Sequence, residues 1–230
     1  MKILAIEASS EQGSVALRVD DAILSRRIDG AANHSRTVLS DVSDLLAEAG
    51  LSVTALDAVA FGAGPGAFTG LRLACGVAQG LALGGDIGVA VIGSLDAIAL
   101  QAKAQRVFVA TDARMGEVYY AAFEGADANS LQVVAEARCT APESLELPPG
   151  QWLATGSGFR VWADVLHTRF QHQLSGCRDD LVARADEVAM LGERIARAGQ
   201  LVAPERAAPL YVRDKVAFTT AERLARGGKA

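Results

Sequence analysis

Cysteine is scarce. Cys75, Cys139 and Cys177 are the only three in 230 residues, and they are odd in number and widely spaced. With no CxxC pair there is no disulfide framework and no cysteine zinc site to read, and a reducing cytoplasm is the expected setting. Histidine is as rare. His34, His167 and His172 show neither HExxH nor HxxxH spacing, which disfavours a helix-borne metal site. Positive charge is in deficit: 22 Lys and Arg against 27 Asp and Glu give a net charge of -5. That balance does not suit a mainly electrostatic grip on nucleic acid, although Arg26, Arg27 and Arg36 form a local basic group. Long apolar runs are missing too. Leu73 to Gly85 is interrupted by Gln79 and bounded by Arg72 and Asp86, well short of the ~20 residues of a membrane span. The start MKILAIEASS reaches Glu7 too soon for a signal peptide.

Apolar residues, in contrast, are plentiful: half the chain is hydrophobic, enough for a sizeable core. Lys2–Ala8, Ser14–Val19 and Ile23–Ile28 read as three consecutive strands, with Asp20-Asp21 as the second turn. His34 to Ala49 is predicted helical. Val38, Leu39, Val42, Leu45 and Leu46 recur at helical steps, and Gly50 stops the run. A buried strand at 56–61, a helix from Phe68 to Leu83, a strand at 89–92 and a helix from Leu95 capped by Ser94 complete a first half, 1–103. From Arg106 the pattern restarts. "TDARMGEVYYAAF" repeats the layout of "IEASSEQGSVAL": strand, acid, tight turn with glycine, strand. Further strands at 131–137 and 152–155, a helix opened by "GSG" and another at Asp186–Ala198 fill a second half, 104–230, whose ARGGKA end is expected to fray. The fold class expected is α/β with two related halves built on mixed sheets.

The richest stretch is FGAGPGAFTGLRLACGVAQGLAL, residues 61–83. It lacks the lysine of a Walker loop. As a dinucleotide loop it has Thr69 where the third glycine belongs, and Asp86 precedes its strand instead of ending it. The front glycines therefore read as a sharp strand-to-helix turn, with weak anion binding at the helix start as the secondary reading. Farther on, Gly76, Gly80 and Gly84 step by four, as do Gly66, Gly70, Ala74 and Ala78. Small residues at that spacing let another backbone approach. The cover is either this chain's own helices or another protein. Glu7 and Asp112 end the first strand of each half. They either cap their turns or, in a phosphotransfer site, orient Mg²⁺ or water. Arg114 and Met115 stand where close approach to phosphate favours glycine. His34, near a helix start, reads as a capping or surface residue, not a base. The serines lack GxSxG context.

Together, MKILAIEASSEQGSVAL, AFGAGPGAFTGLRLACGVAQGLALG and TDARMGEVYYAAF resemble the TsaB (YeaZ) family, from the first residues to about Arg213. The resemblance implies the actin-like ATPase (ribonuclease H-like) fold and a non-catalytic scaffold subunit. That subunit pairs with the TsaD transferase, and with TsaE, to form N6-threonylcarbamoyladenosine at position 37 of tRNAs reading codons that begin with A. It implies docking through the two N-terminal helices, with Val38, Val42, Leu45, Phe68, Arg72, Ala74, Gly76 and Gly80 as candidate contacts. A homodimer through the same surface is implied for the chain alone, and tRNA contact only within the complex. The superfamily's nucleotide cleft corresponds to Glu7–Gly13, Asp112–Gly116 and Gly156–Gly158. Glu7, Ser9, Ser10, Asp112, Arg114 and Gly156 are thus candidates for a weak nucleotide or anion site, with ATP or ADP and Mg at the complex interface. The chain has Glu7 where the family usually has Asp and Ala67 where it usually has Ser, and the HxxxH of TsaD is missing. The alternative reading is a stand-alone actin-like ATPase or kinase, or a peptidase-like enzyme.

Overall fold

The computed structural model describes residues 1–213, and the expected frayed end ARGGKA lies outside them. Within the described residues, ten strands form two five-stranded mixed sheets. The first half supplies β1 (Lys2–Glu7), β2 (Gln12–Val19), β3 (Ala22–Asp29), β4 (Ala58–Gly64) and β5 (Gly88–Gly93), in the order β3-β2-β1-β4-β5. The second supplies β6 (Arg106–Arg114), β7 (Glu117–Glu124), β8 (Gln132–Thr140), β9 (Trp152–Thr155) and β10 (Leu174–Arg178), in the order β10-β9-β6-β7-β8. Each sheet is an antiparallel meander of three strands with parallel strands added beside the first. This is the expected architecture of two related mixed-sheet halves.

The helices are α1 (Ala31–Glu48), α2 (Phe68–Gly85), α3 (Ser94–Ala102), α4 (Gly158–Val161), α5 (Ala163–Phe170) and α6 (Ala185–Arg197). Alternation along the strands decides which layer each helix joins. Leu4, Ile6, Val15, Leu17, Val59 and Phe61 point to the face covered by α1 and α2. The alternate residues Ile3, Ala5, Ala16, Ala58, Ala60 and Ala90 face α6. That second face is mostly alanine, so α6 lies close: a Cβ on Gly192 would stand 2.7 Å from the Ala60 side chain. Leu95 and Ile98 of α3, Val188 and Leu191 of α6, and Val107, Val109 and Phe123 of the second sheet join the same core. The outer face of the second sheet buries Phe108, Tyr120 and Trp152 against Phe159, Leu166 and Phe170 of α4 and α5.

The chain is thus layered as α1/α2, sheet, α3/α6, sheet, α4/α5. The sheets divide near residue 103, but α6 comes late in the chain and packs on the first sheet. Strand β10 has no counterpart in the sequence reading. It is a short, exposed edge strand containing Gly176, and its apolar pattern is too weak to register.

Candidate interface and the cavity between the halves

The first acidic turn is built around Glu7, which is buried at 1% exposure. Its carboxylate accepts the Ser9 N–H at 2.6 Å and the Ser94 hydroxyl at 3.0 Å. Ser94 Oγ in turn accepts the Gly64 N–H at 3.2 Å. Ser94 was expected to cap α3; instead it begins the helix and ties Glu7 to the end of β4. Gly62 makes room for this arrangement, since any Cβ there would collide with the Glu7 carboxylate. Burial pushes the Glu7 carboxyl above its usual range, and the hydrogen bonds from Ser9 and Ser94 partly offset that.

The same turn seats α2. The Ala67 N–H donates to the Ser9 carbonyl at 2.7 Å. Cβ atoms on Gly66 or Gly70 would strike the Ser9 and Ala8 backbones. The front glycines of the 61–83 stretch therefore admit the first turn's main chain, as the strand-to-helix reading requires.

The second acidic turn repeats the first in outline. Asp112 accepts the N–H of Arg114, two residues on, at 3.1 Å, as Glu7 does for Ser9. Met115 and Gly116 take positive φ values of 57° and 82°, the geometry of a two-residue hairpin loop. Arg114, also at positive φ, sits at a bulge between Asp112 and the hairpin. Ser157 Oγ accepts the Asp112 N–H at 3.1 Å. Gly156 and Gly158 lie so near the Ala110 carbonyl that a Cβ on Gly158 would stand 2.9 Å from it.

Between the two turns lies a cavity of about 540 Å³. It is lined by Ser9, Ser10, Asp112, Arg114 and Ser157, by Leu95, Ile98 and Ala183, and by the segment Leu210–Arg213. The candidates Ser9, Ser10, Asp112 and Arg114 are thus brought together; Glu7 and Gly156 do not line it. Glu7 faces Gly62, Asp112 is held by its own turn and Arg114, and among the described residues no three His, Cys, Asp or Glu gather to hold a metal.

The outward face of α2 is different in character. Among the described residues, nothing lies within 4 Å of where a Cβ on Gly76, Gly80 or Gly84 would stand, and all three are exposed. Leu83 on the same helix is 73% exposed, Phe68 41%, and Leu39 on the adjacent α1 59%. Among the described residues, no helix is long and apolar enough to cross a membrane.

A family model described as TsaD, tRNA N6-adenosine threonylcarbamoyltransferase, matches residues 29–219. The tRNA threonylcarbamoyladenosine biosynthesis protein TsaB of Escherichia coli K12 is 34% identical over 227 residues, covering 95% of this chain and 97% of that protein. The chain belongs to the TsaB (YeaZ) family. The solved YeaZ structure from Pseudomonas aeruginosa agrees: TM-score 0.82 at 32% identity, covering 91% of this chain and all of that one. The Haemophilus influenzae TsaB is 40% identical over 124 residues, about half of each chain.

The structure redistributes the TsaB-type contact candidates. Val38, Val42 and Leu45 are 3%, 2% and 0% exposed, and Ala74 is 0% exposed. They form this chain's own core against the first sheet, because that stripe is what fixes α1 and α2 to it. They are not surface contacts. Phe68, Arg72, Gly76 and Gly80 remain exposed. His34 is corrected as well. It is 3% exposed, its Nε2 has no hydrogen-bond partner among the described residues, and it packs on Gly13, where a Cβ would stand 2.7 Å from that nitrogen. Its four-residue step to Val38 places it on the buried stripe. Ser94, Gly62, Tyr211 and Arg213 were missed as site residues. In the sequence, Leu210–Arg213 is marked only as the end of the family resemblance, and nothing in its spacing signals that it returns to α2.

Proposed function

We propose that this chain is the non-catalytic partner subunit in the formation of threonylcarbamoyladenosine in tRNA, docking to a TsaD transferase through the exposed face of α2 beside α1. The observation that carries this reading is the uncovered track of Gly76, Gly80 and Gly84 between Leu39, Phe68 and Leu83. Small residues leave room for a partner helix at close range, and the flanking apolar side chains supply area to bury. The role in threonylcarbamoyladenosine biosynthesis is supported by the near-complete coverage of the E. coli relative of that name. The absence of catalysis by this chain is supported by the two turns, whose carboxylates are engaged internally. TsaE is proposed to join the pair, and tRNA to be met within that assembly.

Co-purification with the TsaD of the same cell tests the docking, and a tRNA modification assay with and without this chain tests the role. Modification at the full rate without the chain defeats the proposal. Calorimetry with Mg-ATP separates it from a stand-alone ATPase or kinase: micromolar binding with turnover favours the enzyme.

A further inference from the structure

The cavity mouth is ringed by contacts that cross between the halves at two places. One is the ion pair of Arg114 with Glu11, 3.0 Å, with side chains 74% and 79% exposed; a pair so exposed holds weakly. The other is the extended segment Ala207–Arg213. At its start, the Ala207 carbonyl accepts from Gln79 Nε2 at 3.0 Å, and the Leu210 N–H donates to the Ala63 carbonyl at 2.8 Å. Tyr211 lies against Phe68, ring centroids 5.8 Å apart, and its hydroxyl accepts from Arg72 Nε at 3.1 Å. All of these anchors belong to the first half. At its end, Arg213 reaches the second hairpin, donating to the Ala113 carbonyl at 2.8 Å and pairing with Glu117 at 2.7 Å. Its side chain is only 13% exposed and stands over the Tyr119 ring.

The anchoring is unequal. The first-half end is held by main chain, side chains and a buried Ala207, whereas among the described residues the second-half end rests on one arginine. We infer that Ala207–Arg213 is a strap across the cavity mouth and that Arg213 is its releasable latch. When the guanidinium leaves the hairpin, the mouth opens while α2 and the strap's first-half end stay in place. The shared core of α3 and α6 holds the two sheets together throughout, so release changes access to the cavity rather than the angle between the halves. The inference stands independently of the partner proposed above.

Cavity access can be read with a thiol-reactive reagent on the full chain carrying Ala183→Cys, a buried cavity-wall position, with labelling resolved peptide by peptide. Buried Cys75, whose thiol donates to the Ala207 carbonyl at 3.5 Å, reports release of the strap's first-half end or wider opening. The expected result is at least tenfold faster labelling at residue 183 when Arg213→Ala is added, with Cys75 unchanged. Glu11→Ala should raise it far less. An unchanged rate, a parallel rise at Cys75, or an equal effect of Glu11→Ala overturns the latch. If Ala183→Cys fails to fold, Ile98→Cys on α3 is the same reporter from another wall.

Discussion

The Glu7 carboxylate stands where a side chain at residue 62 would be, and Gly62 leaves that space open. The pair is a unit, because the longer acid needs the missing side chain. Gly62→Ala is expected to destabilise by about 1–3 kcal/mol through overpacking. In a Glu7→Ala background the same change should cost at least about 1 kcal/mol less, since neighbours in contact are not additive. Urea denaturation of the four chains measures it; equal costs in both backgrounds refute the coupling.

Asp96, in the first turn of α3, has its carboxyl pushed up from 3.8 to about 6, chiefly by burial, with Glu136 of β8 adding to the rise and Arg194 of α6 opposing it. Below pH 3.8 both folded and unfolded chains hold the proton and there is no penalty. Between 3.8 and about 6 the unfolded chain releases it first, so stability falls as pH rises, and above that the full penalty, on the order of 3 kcal/mol, applies. Glu7 acts in the same direction from 4.5 upward. Asp96→Asn should therefore be more stable than the parent at pH 7.5, with the difference shrinking towards pH 4 in thermal melts. A difference independent of pH contradicts this.

Gly76 and Gly80 separate docking from folding. Among the described residues nothing lies within 4 Å of a Cβ at either position, so Gly80→Arg should leave stability unchanged or raise it by up to about 1 kcal/mol through helix propensity. The same variant should lose co-purification with TsaD. A stable variant that still co-purifies removes this face as the docking surface. Ala74 cannot serve for this test, because it lies in the core at 0% exposure.

The Glu11–Arg114 pair crosses between the halves in full view of solvent. Glu11→Ala is expected to shift stability by less than about 1 kcal/mol, with the shift shrinking further in 0.5 M salt. A loss of several kcal/mol would mean that the pair, not the shared core, joins the halves.

Much of this was legible in the sequence. The strand-helix order of the first half and, apart from β10, of the second, the repeated acidic turns and the sharp turn at Gly64–Gly66 followed from periodicity and turn chemistry, which act over a few residues. The contact surface was only half legible. The stripe of Val38, Val42 and Leu45 is equally consistent with a sheet beneath or a partner above, and periodicity marks a buried face without naming what buries it. His34 was misjudged for the related reason that its polarity outweighed its place on that stripe. Ser94 was misassigned because a serine before a helix is a good cap in isolation; only the tertiary fold brings Glu7, distant in sequence, within 3.0 Å of it.

By itself the sequence determined the local elements, the two-fold layout and the family, because these rest on propensities, apolar spacing and contiguous motifs. Tertiary structure decided three further things: that α6 completes the first sheet, that Glu7 turns inward onto Gly62 and away from the cavity, and that the segment ending in Arg213 closes over the cavity mouth. Each depends on contacts between residues far apart in the chain. Such contacts are selected by how whole layers pack, and no short window of sequence contains that information.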